Sequence, residues 1–196
     1  MPKPPTTPAS KTSDGAAWRP TLDEYEPSLT AAADACGGFV TAMAAQPESG
    51  HWLTLAGVNG CGKSMLAEQL LAQARRLNPD RGLIIGPRER RGCTWIDERN
   101  LASRMRGGEW DLPEYLGGDF FVILDELGAT RDPSTFVADA IARLCQARRD
   151  KWTVFTTNLT MQEIAERQDA RIASRLIRDR NRFVTITAGD YALRLP

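Results

Sequence analysis

The stretch that decides the fold is Gly57-Val58-Asn59-Gly60-Cys61-Gly62-Lys63-Ser64. It matches the pattern G-x-x-x-x-G-K-[ST], with an apolar segment before it and an amphipathic segment of helical spacing after it. Glycines allow backbone N–H groups to turn inward around phosphate oxygens, at a helix N-terminus whose dipole favours anions. The pattern predicts a phosphate-binding loop in which Lys63 reaches the β- and γ-phosphates of a nucleotide and Ser64 holds Mg²⁺. The other predicted nucleotide contacts in and beside this loop are Gly57, Asn59, Gly60, Cys61, Gly62 and Met65.

Outside this loop, apolar segments alternate with segments whose apolar residues recur at helical spacing. The pattern predicts strands over residues 51–56, 93–96, 120–124, 152–156 and 183–187. It predicts helices over residues 28–46, 64–76, 97–106, 134–149 and 162–180. Such an alternation is typical of an α/β protein, a three-layer sandwich around a mainly parallel five-stranded sheet.

Two carboxylates, Asp125 and Glu126, come directly after the most apolar of these predicted strands, which covers residues 120–124. Ligands of open α/β sheets bind outside the carboxyl ends of the strands, so Asp125 is expected beside the phosphate-binding loop, where it can hold Mg²⁺. Glu126 is expected to face the γ-phosphate and to orient or deprotonate a water molecule. Asn158, which follows the predicted strand over 152–156, is expected to contact the γ-phosphate or that water. A water-activating carboxylate favours hydrolysis over phosphate transfer to a bound acceptor.

An arginine-rich segment lies near the end of the chain, over residues 169–182. Within it, Arg171, Arg175 and Arg178 are spaced to lie on one face of a helix. One interpretation is a guanidinium presented to the γ-phosphate of a neighbouring subunit, which accelerates hydrolysis by large factors. The other is an ordinary solvated basic face.

The order of these motifs, G-x4-GKS, then LDE, then TTN, then RIASRL, resembles the AAA+ ATPases of the DnaC-like helicase-loader and IstB transposition-ATPase family. The resemblance covers about residues 21–196 and implies binding and hydrolysis of ATP with Mg²⁺. Arg175, in Ser174-Arg175-Leu176, best matches the trans-acting arginine finger of the family, and Arg171 lies beside it. Tyr25 lies in the family's approach to its nucleotide. Too few residues follow Arg182 for the C-terminal helical lid of many AAA+ proteins.

The resemblance also implies partners: a replicative DNA helicase, single-stranded DNA, and further copies of the chain in a ring or spiral. In related initiators and loaders, the region before the LDE motif contacts single-stranded DNA. The candidate phosphate contacts in this region are Arg88, Arg90, Arg91, Arg104 and Arg106. We expect Trp95 and Trp110 to be buried rather than to stack on bases. The compact form suggests a protein encoded by a phage or mobile element.

Composition restricts the classes of protein that remain. The chain has 196 residues, 25 Lys and Arg and 25 Asp and Glu, so its formal net charge is zero, which disfavours a globally basic nucleic-acid binder. Its longest strictly apolar run, residues 120–124, is too short to cross a membrane. Four cysteines without paired spacing fit a reducing cytoplasm. We expect a disordered proline-rich tail over 1–20, a linker and helix over 21–49, and an ATPase domain over 50–196.

Three other functions share the phosphate-binding loop. An IstB-like ATPase that delivers a transposase to DNA would use the same motor and is not separated from a helicase loader by these motifs. A nucleotide-binding adaptor would bind ATP without turnover. A small-molecule kinase would carry acceptor-binding and lid arginines.

Overall fold

Five parallel strands form the centre of the computed structural model, which describes residues 18–22, 27–78, 92–130 and 135–194. The strands are β1 (Trp52–Gly57), β2 (Cys93–Asp97), β3 (Phe121–Leu127), β4 (Trp152–Thr157) and β5 (Arg182–Ile186). The helices are α1 (Pro27–Ala45), α2 (Lys63–Leu77), α3 (Glu98–Arg106), α4 (Leu112–Gly117), α5 (Phe136–Ala147), α6 (Met161–Arg167) and α7 (Ala170–Leu176), followed by a 3₁₀ turn over Tyr191–Arg194.

The strands lie in the order β2-β3-β4-β1-β5, and every neighbouring pair is parallel. The predicted α/β sandwich with a five-stranded parallel sheet is therefore confirmed. This order places β1 between β4 and β5, and β3 beside β4. The ends of β1, β3 and β4, which carry the predicted site residues, consequently lie next to one another at one edge of the sheet.

Both faces of the sheet are buried, and the central strands accordingly carry apolar residues and threonines rather than charged residues over most of their length. Leu53, Ile123 and Val154 pack with α1 and α2 in one cluster. Leu124 and Phe155, the next residues along two of these strands, pack with α3 to α7 in the other cluster. This alternation follows from the two-residue period of a strand and gives the three layers.

In the arginine-rich segment, the prediction of one helical face for Arg171, Arg175 and Arg178 was wrong. Residues 162–180 were expected to be mostly helix, but the helix breaks at Gln168, and Asp169 caps a new one by accepting a hydrogen bond from the Arg171 backbone N–H at 2.6 Å. The second helix, α7, ends at Leu176. Arg178 therefore lies beyond the helix and does not continue the face that carries Arg175. The short helix α4 was not predicted.

A fully buried arginine holds the amino ends of two strands. Arg148 is 0% exposed, and its guanidinium donates to the carbonyl oxygens of Leu116 at 3.0 Å, Trp152 at 2.6 Å and Asp119, and to the Thr153 hydroxyl at 3.0 Å. Burial lowers the pKa of Arg148 to about 9. The guanidinium thus connects the backbone just before β3 to the start of β4.

Within the residues that the structure describes, none of the helices combines the length and the hydropathy needed to span a membrane.

Candidate active site

The phosphate-binding loop connects the end of β1 to the start of α2. Gly60 and Gly62 have φ angles of 71° and 100°, a region that side-chain-bearing residues rarely adopt, so the loop needs glycine at both positions. Lys63 is 8% exposed, and its ammonium donates to the carbonyl oxygens of Gly57 at 2.8 Å and Val58 at 2.7 Å. The ammonium therefore lies inside the loop, held by neutral acceptors that are weaker than phosphate oxygens.

A cavity of roughly 250 Å³ opens between this loop and the carboxyl ends of β3 and β4. It brings together nine of the predicted site residues, which are Asn59, Gly60, Gly62, Lys63, Ser64, Met65, Asp125, Glu126 and Asn158. Thr156 and Thr157 complete its lining. The Asn158 amide donates to the Asn59 side-chain oxygen at 2.8 Å, which links the end of β4 directly to the phosphate-binding loop.

Two predicted loop residues do not line this cavity. The side chain of Cys61 is 3% exposed and packs with the core cluster of α1 and α2. It lies under Gly57, where a Cβ atom would be 2.7 Å from the Cys61 sulfur. Gly57 has no side chain and that of Cys61 is buried, so these two residues offer a nucleotide only their backbone groups. Tyr25, also predicted to contact the nucleotide, lies outside the described residues.

Thr156 orders the two carboxylate residues at the end of β3. Its hydroxyl donates to a carboxylate oxygen of Asp125 and accepts from the backbone N–H of Glu126 at 3.0 Å. Glu126 has a φ angle of 56°, which is strained for a residue with a side chain. The sequence carries no specific signal for this role, because a threonine in an apolar strand is ordinary.

The predicted arginine finger lies at the other end of the sheet. Arg175 donates to the Ala142 carbonyl oxygen at 3.3 Å and to the Gln146 side chain at 3.1 Å. It lines a second cavity with Trp52 and Asn181, which mark the amino ends of β1 and β5. A strand of six residues spans about 20 Å, so Arg175 is too far from the nucleotide cavity of its own chain to reach it.

Arg171 does not share the surroundings of Arg175. Its side chain is 76% exposed and forms an ion pair with Asp169 at 2.7 Å. The hydrogen bonds and the charge of Asp169 raise the pKa of Arg171, whereas those of Arg171 lower the pKa of Asp169. The ion pair thus lies at the start of α7, where Asp169 also accepts from the Arg171 backbone N–H.

Of the five candidate DNA contacts, the structure describes two, Arg104 and Arg106. Arg88, Arg90 and Arg91 lie outside the described residues. Arg104 forms an ion pair with Glu109 at 2.6 Å, and Arg106 covers the ring of Phe136 at 4.9 Å from the ring centroid. The prediction that Trp110 is buried was wrong, because 54% of it is exposed, while Trp95 is partly buried.

Comparisons with known proteins define the fold further. No protein-family model matches the chain, and a comparison with curated proteins finds no significant match. Among solved structures, "Crystal structure of the DnaC helicase loader" matches with a TM-score of 0.67 and 23% identity, covering 85% of this chain and 94% of that one. "Crystal Structure of the DnaI" matches with a TM-score of 0.62 and 20% identity, covering 86% and 87%.

Replication initiators share the same core. "Structure of AMPPCP-bound DnaA from Aquifex aeolicus" matches with a TM-score of 0.65 and 11% identity, covering 83% of this chain and 48% of that one. "Replication initiator DnaA bound to AMPPCP and single-stranded DNA" matches with a TM-score of 0.60 and 12% identity, covering 78% and 45%. This chain therefore spans about half the length of these initiators and most of the length of the loader structures. The chain therefore shares its fold with these loader and initiator structures, an α/β sandwich built on a phosphate-binding loop, as its motifs predicted.

Proposed function

We propose that this protein is an ATP-hydrolysing helicase loader. The observation that carries the proposal is a cavity at the carboxyl edge of the sheet, which combines the phosphate-binding loop with Asp125, Glu126 and Asn158. The helicase-loading part of the proposal is supported by the loader structures, since the chain covers most of their length with the same fold. The IstB-like alternative would use the same cavity and differs only in its partner.

The residues of the cavity fit an Mg²⁺–ATP complex. Ser64 and Asp125 offer a hydroxyl and a carboxylate, the hard oxygen ligands that Mg²⁺ accepts together with phosphate oxygens and water. Bound Mg²⁺ would neutralise phosphate charge during hydrolysis. Thr156 holds one oxygen of Asp125 and leaves the other available as a ligand.

Hydrolysis would be carried out by three side chains of this chain. Lys63 would exchange its carbonyl partners for phosphate oxygens, which are stronger because they are charged. Glu126, exposed at the mouth of the cavity, would accept a proton from the attacking water. Asn158, already hydrogen-bonded to the loop through Asn59, would orient that water or the γ-phosphate.

The arginine finger would come from a second copy of the chain. Arg175 lies at the amino edge of the sheet and the ATP cavity at the carboxyl edge, so a contact that joins them is head-to-tail. Head-to-tail contacts generate rings or open spirals. Such an assembly would place one complete site at each interface between subunits.

Mixing two inactive variants tests whether ATP is hydrolysed at a site shared between subunits. Lys63→Ala should abolish ATP binding, whereas Glu126→Gln and Arg175→Ala should each bind ATP and hydrolyse it at least about a hundredfold more slowly. In an equal mixture of the last two variants, random assembly pairs an intact Glu126 with an intact Arg175 at about a quarter of the interfaces. Steady-state phosphate release should therefore recover to about a quarter of the wild-type rate.

Arg167→Ala is the matched control, since this arginine lies at the end of α6, pairs with Glu163 and does not line the cavity that contains Arg175. It should hydrolyse ATP at close to the wild-type rate. If mixed oligomers form but no mixing ratio restores activity, Arg175 does not act across an interface. Wild-type activity of Glu126→Gln would show that Glu126 does not activate water.

The partner is tested by helicase placement. With ATP, the wild-type chain should transfer a replicative helicase onto single-stranded DNA coated with a single-strand-binding protein, measured as subsequent strand unwinding. Lys63→Ala should fail in the same assay. ATP hydrolysis without helicase placement, together with stable capture of a transposase, would instead favour the IstB-like alternative.

A further inference from the structure

A buried carboxylate outside the cavity holds the loop that follows Glu126. Glu98, the first residue of α3, is 0% exposed. One of its oxygens accepts from the Gly128 backbone N–H at 2.6 Å, and the other accepts from the Thr130 backbone N–H at 2.8 Å. A fully buried carboxylate is rare without such partners, because removing its charge from water is costly.

The loop that Glu98 binds is conformationally strained. Glu126 and Gly128 have φ angles of 56° and 86°, so two left-handed residues occur within three positions. Glycine adopts such an angle without strain, but a left-handed glutamate persists only where the surrounding structure holds it. On one side of the strained segment, the Glu126 N–H is held by Thr156. On the other side, the backbone of Gly128 and Thr130 is held by Glu98.

The same carboxylate also contacts the segment that leads to Arg175. The side-chain amide of Gln168, at the end of α6, donates to Glu98 at 3.3 Å. Two residues further on, α7 begins. Glu98 thus connects three parts of the chain: the start of α3, the loop after Glu126, and the junction before α7.

We propose that Glu98 is a positioning residue that holds the loop over Gly128–Thr130 and thereby directs Glu126 into the nucleotide cavity. Its catalytic consequence rests on the proposed function, but its effect on the loop does not. Burial raises the pKa of Glu98, and the hydrogen bonds from Gly128 and Thr130 oppose that rise. The loop amides therefore help to keep charged the carboxylate that binds them.

The test uses Glu98→Gln, which keeps the shape of the side chain but turns one acceptor oxygen into an amide donor facing a backbone N–H. Amide hydrogen exchange over residues 126–130 should accelerate about tenfold or more, while exchange over residues 57–64 stays unchanged. ATP affinity should remain within about twofold, and kcat should fall about tenfold. The control is Glu114→Gln, because the Glu114 carboxylate is exposed and paired with Arg143. In this variant, neither the exchange over residues 126–130 nor kcat should change.

A double-variant cycle separates positioning from general damage. If Glu98 acts through Glu126, adding Glu98→Gln to Glu126→Gln should not lower the residual kcat further. Two independent effects would multiply instead, and that result would refute the positioning role. Unchanged exchange over residues 126–130 in folded Glu98→Gln would refute the hold on the loop.

Two further outcomes remain decisive. If Glu98→Gln does not fold, the wild-type chain alone tests whether Glu98 binds the loop. The backbone N–H groups of Gly128 and Thr130 should then be protected from exchange in the wild type. Rapid exchange at both would refute the proposal. If the wild-type chain hydrolyses no ATP, the proposed function fails. Loop protection in wild type and in Glu98→Gln still decides whether Glu98 holds the loop.

Discussion

Replacing Thr156 with valine removes one hydroxyl from the site and changes the shape of the side chain very little. Thr156 is 1% exposed and lies in the lining of the nucleotide cavity. The change leaves the Glu126 N–H without its 3.0 Å acceptor and removes the donor to Asp125. Both consequences fall on residues proposed to hold Mg²⁺ and to activate water.

The expected cost follows from these two bonds. A hydrogen bond to a charged group contributes about 1.5–3 kcal/mol, and an unsatisfied buried N–H costs about 1–3 kcal/mol. The added methyl group offsets about 0.8 kcal/mol by burying more apolar surface. We expect Thr156→Val to lower the free energy of unfolding by about 2–5 kcal/mol, and Tm by roughly 4–20 °C for a chain of this size.

Thr153→Val provides a matched control in the same strand. Thr153 is 0% exposed, and its hydroxyl accepts from Arg148 at 3.0 Å and donates to the Lys151 carbonyl oxygen at 3.1 Å. Both variants therefore lose two hydrogen bonds at a buried β4 position and should lose similar stability. Thr153 lies at the amino end of β4, away from the nucleotide cavity, so only Thr156→Val should affect catalysis.

The assay is steady-state ATP hydrolysis at saturating ATP, at a temperature where both variants are folded, with ATP affinity measured separately. Misplacing a catalytic group by about 1 Å costs on the order of a hundredfold in rate, so we expect kcat of Thr156→Val to fall about 10- to 100-fold. Thr153→Val should keep kcat within about twofold. Wild-type kcat in a destabilised Thr156→Val would refute the reasoning, as would an equal loss in both variants.

Two other predictions concern groups outside the cavity. Arg148→Met should lower the free energy of unfolding by about 3–5 kcal/mol in urea titrations, because it leaves buried carbonyl groups unpaired, and a gain in stability would contradict this. Burial, reinforced by nearby Arg180, lowers the pKa of His51 to about 4, so the folded state favours the neutral ring. Above the unfolded pKa of about 6.5 the ring is neutral in both states. As pH falls from there towards 4 the unfolded state binds a proton that the folded state does not, so stability falls by on the order of 1 kcal/mol after solvent screening. In His51→Gln the urea midpoint should fall less between pH 7 and pH 4.5 than in the wild type, and equal falls would contradict the assignment.

Much of the fold could be predicted because its determinants are local. The alternation of apolar segments with helical patterns predicted all five strands. The order of motifs predicted that Lys63, Asp125 and Asn158 lie at one edge of a parallel sheet, and the structure places all three in one cavity there. A phosphate-binding loop depends on closely spaced glycines and on a helix that starts directly after the last of them. These requirements are met within eight residues of sequence, so a short stretch suffices to recognise them.

The arginine segment shows where local patterns become insufficient. Its spacing is compatible with one long helix, yet Asp169 caps a new helix and Leu176 ends it. Side-chain capping competes with helix continuation, and the outcome depends on whether the break lets Ile172 and Leu176 reach the core. Spacing alone also grouped Arg171 with Arg175, although the first pairs with Asp169 and the second lies along α5.

The sequence by itself determined the class of fold and the chemistry of the loop, since periodicity and motifs are properties of neighbouring residues. Only the tertiary structure decided that Glu98 and Arg148 are fully buried, because their partners come from other elements. Gln168 is 70 positions away from Glu98, and Leu116 is 32 positions away from Arg148. An acidic residue in the first turn of a helix and an arginine after the end of one are ordinary surface patterns. Burial turns them into structural contacts, because a charge removed from water must find its partners within the folded chain.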